Sequence, residues 1–214
     1  MEKFIVVSSD CHAGLPPEKY REYLDPKYRE TFDMALPIAL DLTEKAESTF
    51  LLKEINDKWR AGVEAHLCGA WQYEKRVEVL ESDGIAAEIV FPDGITERNS
   101  PPFGAGLSLP TKDIVPELQW AGARSHNRWL AELCAPDTNR HFGVAICPIL
   151  WNVEEAVAEA RWAKENGLRG IMIPLLTRGF EPYHHPKYDP FWAACEDLGL
   201  YICFHSGAAP MEEF

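Results

Sequence analysis

The stretch NVEEAVAEARWAKENGLRGIMIP (152–174), followed by DPFWAACEDLGLYICFH (189–205), decides the fold. Asn152 is a good helix N-cap, Glu154 and Glu155 favour the positive end of a helix dipole, and Gly167 suits the position just past a helix end. The spacing predicts a helix over 153–166, and the apolar run 170–174 behind it reads as a buried strand. The second stretch repeats the order. Pro190 falls in a first turn, Phe191, Ala194, Cys195 and Leu198 share one face, Gly199 stops the helix, and the apolar run 200–205 follows. Helix, glycine and strand in immediate repetition point to parallel β/α units.

Working outward, a helix is expected over 113–133, with Pro116 tolerated in its first turn, and it feeds a third apolar strand at 142–147. Two more apolar runs, 4–8 and 85–91, complete a set of five expected strands. Between them lies an excursion of roughly seventy residues, 13–83, with charged helical patterns at 18–29, 43–59 and 73–82. That is too long for a simple crossover, so a helical insertion covering one end of the sheet is expected within a single domain over 1–214. The Pro-rich stretch 99–110 reads as a loop after the second strand.

Composition narrows the function. The chain has 21 Lys and Arg against 34 Asp and Glu, a net charge of −13. This excess of acid argues against sequence-independent binding to nucleic acid or to an anionic membrane, both of which need clustered basic side chains. The apolar runs fall far short of the ~20 residues that cross a bilayer. The amino terminus, MEKFIVVSSDCH, has no secretory apolar core, and six cysteines stand without a C-x-x-C pair. Reduced thiols in the cytoplasm are expected.

Asp10 and His12 flank Cys11 at the end of the first expected strand, and residues two apart in an extended chain point to one side. A carboxylate and an imidazole on one face suit Zn²⁺, Mn²⁺ or Fe²⁺, and equally a capping Asp beside a hydrogen-bonded His. His205 closes the fifth strand in YICFHSG, with the small Ser206 and Gly207 beside it. In an eight-stranded barrel, strands one and five face each other across the axis and their C-terminal ends converge where barrel active sites lie. In that frame the three side chains form a metal site.

The segments SSDCH (8–12), LESDGIAAEIVFPDG (80–94), NRWLAELCAPDTNRHFGVAICP (127–148), ENGLRGIMIP (165–174) and HHPKYDPFWAACEDLGLYICFHSG (184–207) resemble, in that order, the amidohydrolase-related family typified by aminocarboxymuconate-semialdehyde decarboxylase. The resemblance implies a (β/α)₈ barrel and a metal-dependent decarboxylase or hydrolase of small carboxylated or aromatic compounds. It implies Asp10 and His12 as the acidic-x-His metal ligands of strand one and His205 as the ligand of strand five. One divalent ion is implied, zinc or else manganese or iron, since some members carry His where this chain has Asp10. A strand-six His for proton transfer and a strand-eight Asp complete the family's set, and no such strands follow within the 214 residues. The expectation is therefore a C-terminally incomplete barrel of about five β/α units: the amino-terminal portion of a longer enzyme, or a half-barrel subunit completed by a partner chain. The full-length form is expected to be a homo-oligomer acting on a small molecule.

The remaining polar candidates have plainer readings beside functional ones. Arg178 could meet a substrate carboxylate, although a solvated Arg serves as well. The tandem His184 and His185 invite a metal reading, but adjacent residues in a loop rarely converge on one ion, so a loop-packing or substrate-edge role is expected. Trp151 and Phe103 either wall an aromatic pocket or pack under the helical cover. His66, His126 and His141 read as structural, Asn127 as a hydrogen-bonding residue behind the site, and Cys11 as a small buried residue facing the helices.

Overall fold

The computed structural model describes residues 4–50, 52–92, 99–107 and 109–205. Five parallel strands form one sheet in sequence order: β1 (Val7–Ala13), β2 (Ala87–Pro92), β3 (His141–Ile146), β4 (Gly170–Met172) and β5 (Tyr201–Cys203). The helices are α1 (Tyr20–Tyr23), α2 (Arg29–Phe50), α3 (Lys53–Leu67), α4 (Tyr73–Ser82), α5 (Pro116–Cys134), α6 (Val153–Glu165) and α7 (Asp189–Leu198). This is the α/β alternation that the sequence predicts. Among the described residues no helix is long and apolar enough to cross a membrane.

The helices after β3 and β4 form where local signals agree. The Asn152 side chain accepts from the Glu155 N–H at 2.9 Å and caps α6. Gly199 ends α7 in the left-handed conformation at φ 61°, which a side chain disfavours. α5 starts later than expected, because Asp113 has φ 57° and Val115, ahead of Pro116, is extended.

The first part of the chain departs further. The first strand was expected at 4–8 but runs Val7–Ala13, since its position is set by backbone pairing to Ala87–Pro92 and not by its apolar residues. Phe4, Ile5 and Val6 lie exposed ahead of it. The helix expected over 18–29 breaks into the 3-10 turn Pro17–Lys19, α1 and the 3-10 turn Pro26–Tyr28, because Leu24 and Asp25 turn extended ahead of Pro26. The helix expected over 43–59 is divided between α2, which carries Pro37 in its interior, and α3. The element expected over 73–82 is α4.

The sheet has two differently covered faces. Val90, Ala145, Cys147, Ile171, Ile173 and Leu200 pack against the helices, with Trp129, Leu130, Ala160 and Phe191 in the same core. Ile89, Phe91, Val144, Ile146 and Met172 belong to a second cluster, capped by Ala105, Leu107 and Leu109 of the loop after β2. Asn127 on α5 locks this layering: its Oδ1 accepts from Ile146 N at 2.7 Å while its Nδ2 donates to Ile146 O and Glu159 Oε1. It is the hydrogen-bonding residue expected behind the site. α5 lies so close to the loop after β2 that a Cβ at Gly122 would stand 2.1 Å from the Pro102 carbonyl oxygen.

Candidate metal centre

β1 and β5 are the two outer strands of the sheet, each with one partner among the described residues. In a flat sheet they would lie about 19 Å apart at about 4.8 Å per strand. Their C-terminal side chains instead touch: His205 Nε2 lies 2.8 Å from Asp10 Oδ1, and the rings of His12 and His205 are 5.0 Å apart, edge to face. The sheet is curled, and its curl closes over these residues.

β1 is adapted locally to present them. Ser8 pairs with Glu88 and Cys11 with Val90, so three steps on β1 match two on β2 and the strand bulges at Ser9–Asp10. Ser8 and Cys11 thereby face the helical side together, where the Cys11 thiol donates to Ser8 Oγ at 3.0 Å. Burial pushes the Cys11 thiol above its ordinary range, which leaves it a packing residue, as expected. Asp10 and His12 face the other way, towards Phe91, whose ring lies 6.1 Å from that of His12 and 4.7 Å from that of His205.

Donor and acceptor roles follow from the partners. His12 Nδ1 lies 2.8 Å from the Pro92 carbonyl, an acceptor only, so the ring donates from Nδ1 and leaves Nε2 as its lone-pair nitrogen. Nε2 is buried without a hydrogen-bond partner and stands 3.3 Å from Asp10 Oδ1. One ligand atom from each of Asp10, His12 and His205 lies within 4.8 Å of the others. The hydrogen bond from His205 holds the Asp10 carboxyl below the usual carboxylate range, although burial opposes it. An acceptor-only nitrogen with nothing to accept, beside an ionised carboxylate and a second imidazole, fits a divalent cation.

The other candidates lie apart from this cluster. Arg178, His184 and His185 are exposed in the segment after β4, and His185 Nδ1 accepts from Lys187 N at the turn Pro186–Tyr188. Trp151 and Phe103 pack under cover: Trp151 Nε1 donates to Gln119 Oε1 and its ring meets Phe180, while Phe103 meets Phe32 of α2. Phe103 also lines a cavity of about 590 Å³ between α2 and the loop after β2. His126 and His141 are buried in structural roles and His66 is exposed on α3. Ser206 and Gly207 lie outside the described residues.

Sequence reasoning missed a buried ionic network beneath β1. Glu88 on β2 is fully buried, receives Arg76 from α4 through Nε (2.5 Å) and Nη2 (2.8 Å), and contacts His141 Nδ1 at 2.7 Å. Although burial opposes it, the His141 hydrogen bond and the Arg76 charge hold the Glu88 carboxyl down to about 2. The available signal was a glutamate inside the apolar strand AEIVFP.

Residues 114–214 match the amidohydrolase family. The match takes in β3, β4, β5 and His205, so over this half the resemblance read from the sequence holds. Among solved structures, an amidohydrolase from Mycobacterium avium subsp. paratuberculosis K-10 is 17% identical with a TM-score of 0.62, over 98% of this chain and 60% of its own. A 2,6-dihydroxybenzoate decarboxylase from Rhizobium is 18% identical with a TM-score of 0.55, over 99% of this chain and 52% of its own. A 5-carboxyvanillate decarboxylase from Novosphingobium aromaticivorans, crystallised with manganese and 4-hydroxy-3-methoxy-5-nitrobenzoic acid, is 19% identical with a TM-score of 0.57, over 98% and 52%. This amidohydrolase-like chain therefore has the fold of these proteins over little more than half their length, as an incomplete barrel. No curated protein sequence matches it.

Proposed function

We propose that the protein is a metal-dependent carbon–carbon lyase, a decarboxylase of a small carboxylated aromatic compound, with Asp10, His12 and His205 as protein ligands to one divalent ion. The observation that carries the reading is the buried, partnerless His12 Nε2 beside Asp10 Oδ1, with His205 closing the group from the opposite strand. The amidohydrolase match and the two decarboxylases of like fold support it. A mixed carboxylate and imidazole set accepts manganese, iron or zinc, and manganese comes first because one protein of like fold was crystallised with it.

A divalent ion at this position supplies Lewis acidity to a carboxylate or phenolate oxygen of the substrate and so an outlet for the electrons of a departing carboxylate. This chain's own residues do the rest of the work assigned here. Pro92 fixes the His12 tautomer through its carbonyl. The hydrogen bond from His205 keeps Asp10 ionised, and Phe91 provides an apolar wall beside both imidazoles. Among the described residues no further His, Cys, Asp or Glu joins the cluster. Hydrolysis of a C–N or C–O bond on the same centre is the neighbouring chemistry.

Calorimetric titration of Mn²⁺ into the chain and into H12A and H205A tests the centre. The wild type is expected to bind one ion and both variants to lose tight binding. Equal binding by all three overturns the assignment.

A second reading is favoured by the sheet edges, where Val7 and Ile202 are exposed on the outer strands and Phe204 just past β5. In it, the chain is a non-catalytic half-barrel that needs a partner polypeptide. Size-exclusion chromatography with light scattering separates the two: a soluble monomer argues against an obligate half, and co-purification with a second polypeptide supports it. Self-association into a homo-oligomer, the state proposed for the full-length form, is read in the same experiment.

A further inference from the structure

The buried ion pair beneath β1 has no role in the chemistry above, yet it reaches the backbone of a proposed ligand. Arg76 Nη1 donates to the carbonyl oxygen of His12 at 3.0 Å and to that of Gly69 at 3.1 Å, while Nε and Nη2 grip Glu88. Glu88 pairs with Ser8, the residue at which the β1 bulge begins. One residue past Ala13, Gly14 N donates to Ala70 O at 3.0 Å, in the turn that also offers Gly69 O to Arg76. The main chain is therefore tied on both sides of Ala13 to one structure, the turn Cys68–Ala70 with α4, and the imidazole of His12 is tied separately to Pro92.

Stability alone does not account for a buried Arg–Glu pair here, because apolar residues of similar volume often serve a core equally well. Apolar residues cannot donate to the His12 carbonyl. Nor can Lys span the same four acceptors, since its ammonium is a single centre where guanidinium is a planar fork. We propose that Arg76, anchored by Glu88 and His141, is a positioning residue that sets the bulged end of β1 so that Asp10 and His12 meet His205 in a metal-binding arrangement. The proposal rests on the metal reading of these three residues.

The test measures the Mn²⁺ dissociation constant and the melting temperature of the chain for wild type, R76K, the double variant Arg76→Met/Glu88→Leu, H12A, and L130A. Leu130 packs against Gly143 on β3 and serves as the control for destabilisation without loss of positioning. Wild type is expected to bind Mn²⁺ and H12A to lose it. R76K and the double variant should weaken binding about 10- to 100-fold, the range seen for residues that orient metal ligands. The double variant keeps a packed interior and should still melt cooperatively, and L130A should melt lower with an affinity within about twofold of wild type. Wild-type affinity in both R76K and the double variant, with H12A defective, overturns the positioning role alone. Equal binding by wild type and H12A overturns the metal reading and the positioning role with it.

Discussion

His205 Nε2 lies 2.8 Å from Asp10 Oδ1, joining the two outer strands of one sheet through side chains 195 residues apart in sequence. The contact brings together two of the three groups that would hold a divalent ion. Asp10→Asn keeps the shape and removes the charge. Because the Asp10 side chain is 66% exposed, the substitution should leave the melting temperature nearly unchanged. Mn²⁺ affinity should fall at least about tenfold, since an amide is a weaker ligand for a hard cation than a carboxylate. Calorimetry reads the affinity, and an unchanged dissociation constant removes Asp10 from the ligand set.

His126 should give the protein an acid-sensitive interior. Burial alone pushes its imidazole down to about 3 from 6.5, and its Nε2 has no partner to receive a proton. The unfolded chain protonates this group at a higher pH than the folded chain does, so its contribution is complete above about 6.5 and declines as pH falls towards 3. The slope should approach about 1.4 kcal/mol per pH unit in that window. Urea unfolding between pH 4 and 8 measures it against His126→Gln, which should flatten this part of the profile. Parallel profiles for the two proteins would exclude His126 as the source.

What was legible in the sequence was what depends on near neighbours. α6 and α7 carry their caps and stops within a few residues, and both were placed closely. The Asp10, His12 and His205 group was legible because a ligand pair two apart and a single His behind an apolar run leave local marks. β1 was displaced because its paired residues include the polar SSDCH, whose strand character comes from β2 and not from their own propensity. The Arg76–Glu88–His141 network stayed hidden because its members are 12 and 53 residues apart and meet only after strands align. The start of α2 was missed because Pro37 and an exposed polar face obscure its period.

Gly122 should tolerate no side chain. A Cβ there would stand 2.1 Å from the Pro102 carbonyl oxygen and 3.0 Å from Ala105 Cβ, and backbone cannot yield as a flexible side chain can. Alanine in a helix interior otherwise gains about 1 kcal/mol over glycine, so any loss measured understates the clash. Gly122→Ala should still lower stability by about 1–3 kcal/mol. For a domain of this size that is a fall of about 2–4 °C for each kcal/mol. A melting temperature at or above wild type would show that the loop after β2 moves freely off α5.

Asn127 bears more than its size suggests, because one amide satisfies both the N–H and the carbonyl of Ile146 and also meets Glu159 Oε1. These groups are buried, and Ile146 ends β3. Asn127→Leu keeps the volume and strands three polar groups, each of which then loses a partner it cannot replace with water. The loss should be about 2–4 kcal/mol, larger than for a surface hydrogen bond and spread across α5, α6 and the end of β3. Hydrogen exchange locates it: the Ile146 amide should exchange far faster in the variant, while amides of α4 keep their protection. If exchange accelerates equally in α4, the substitution has lowered global stability, and Asn127 is not a local tie between α5 and β3.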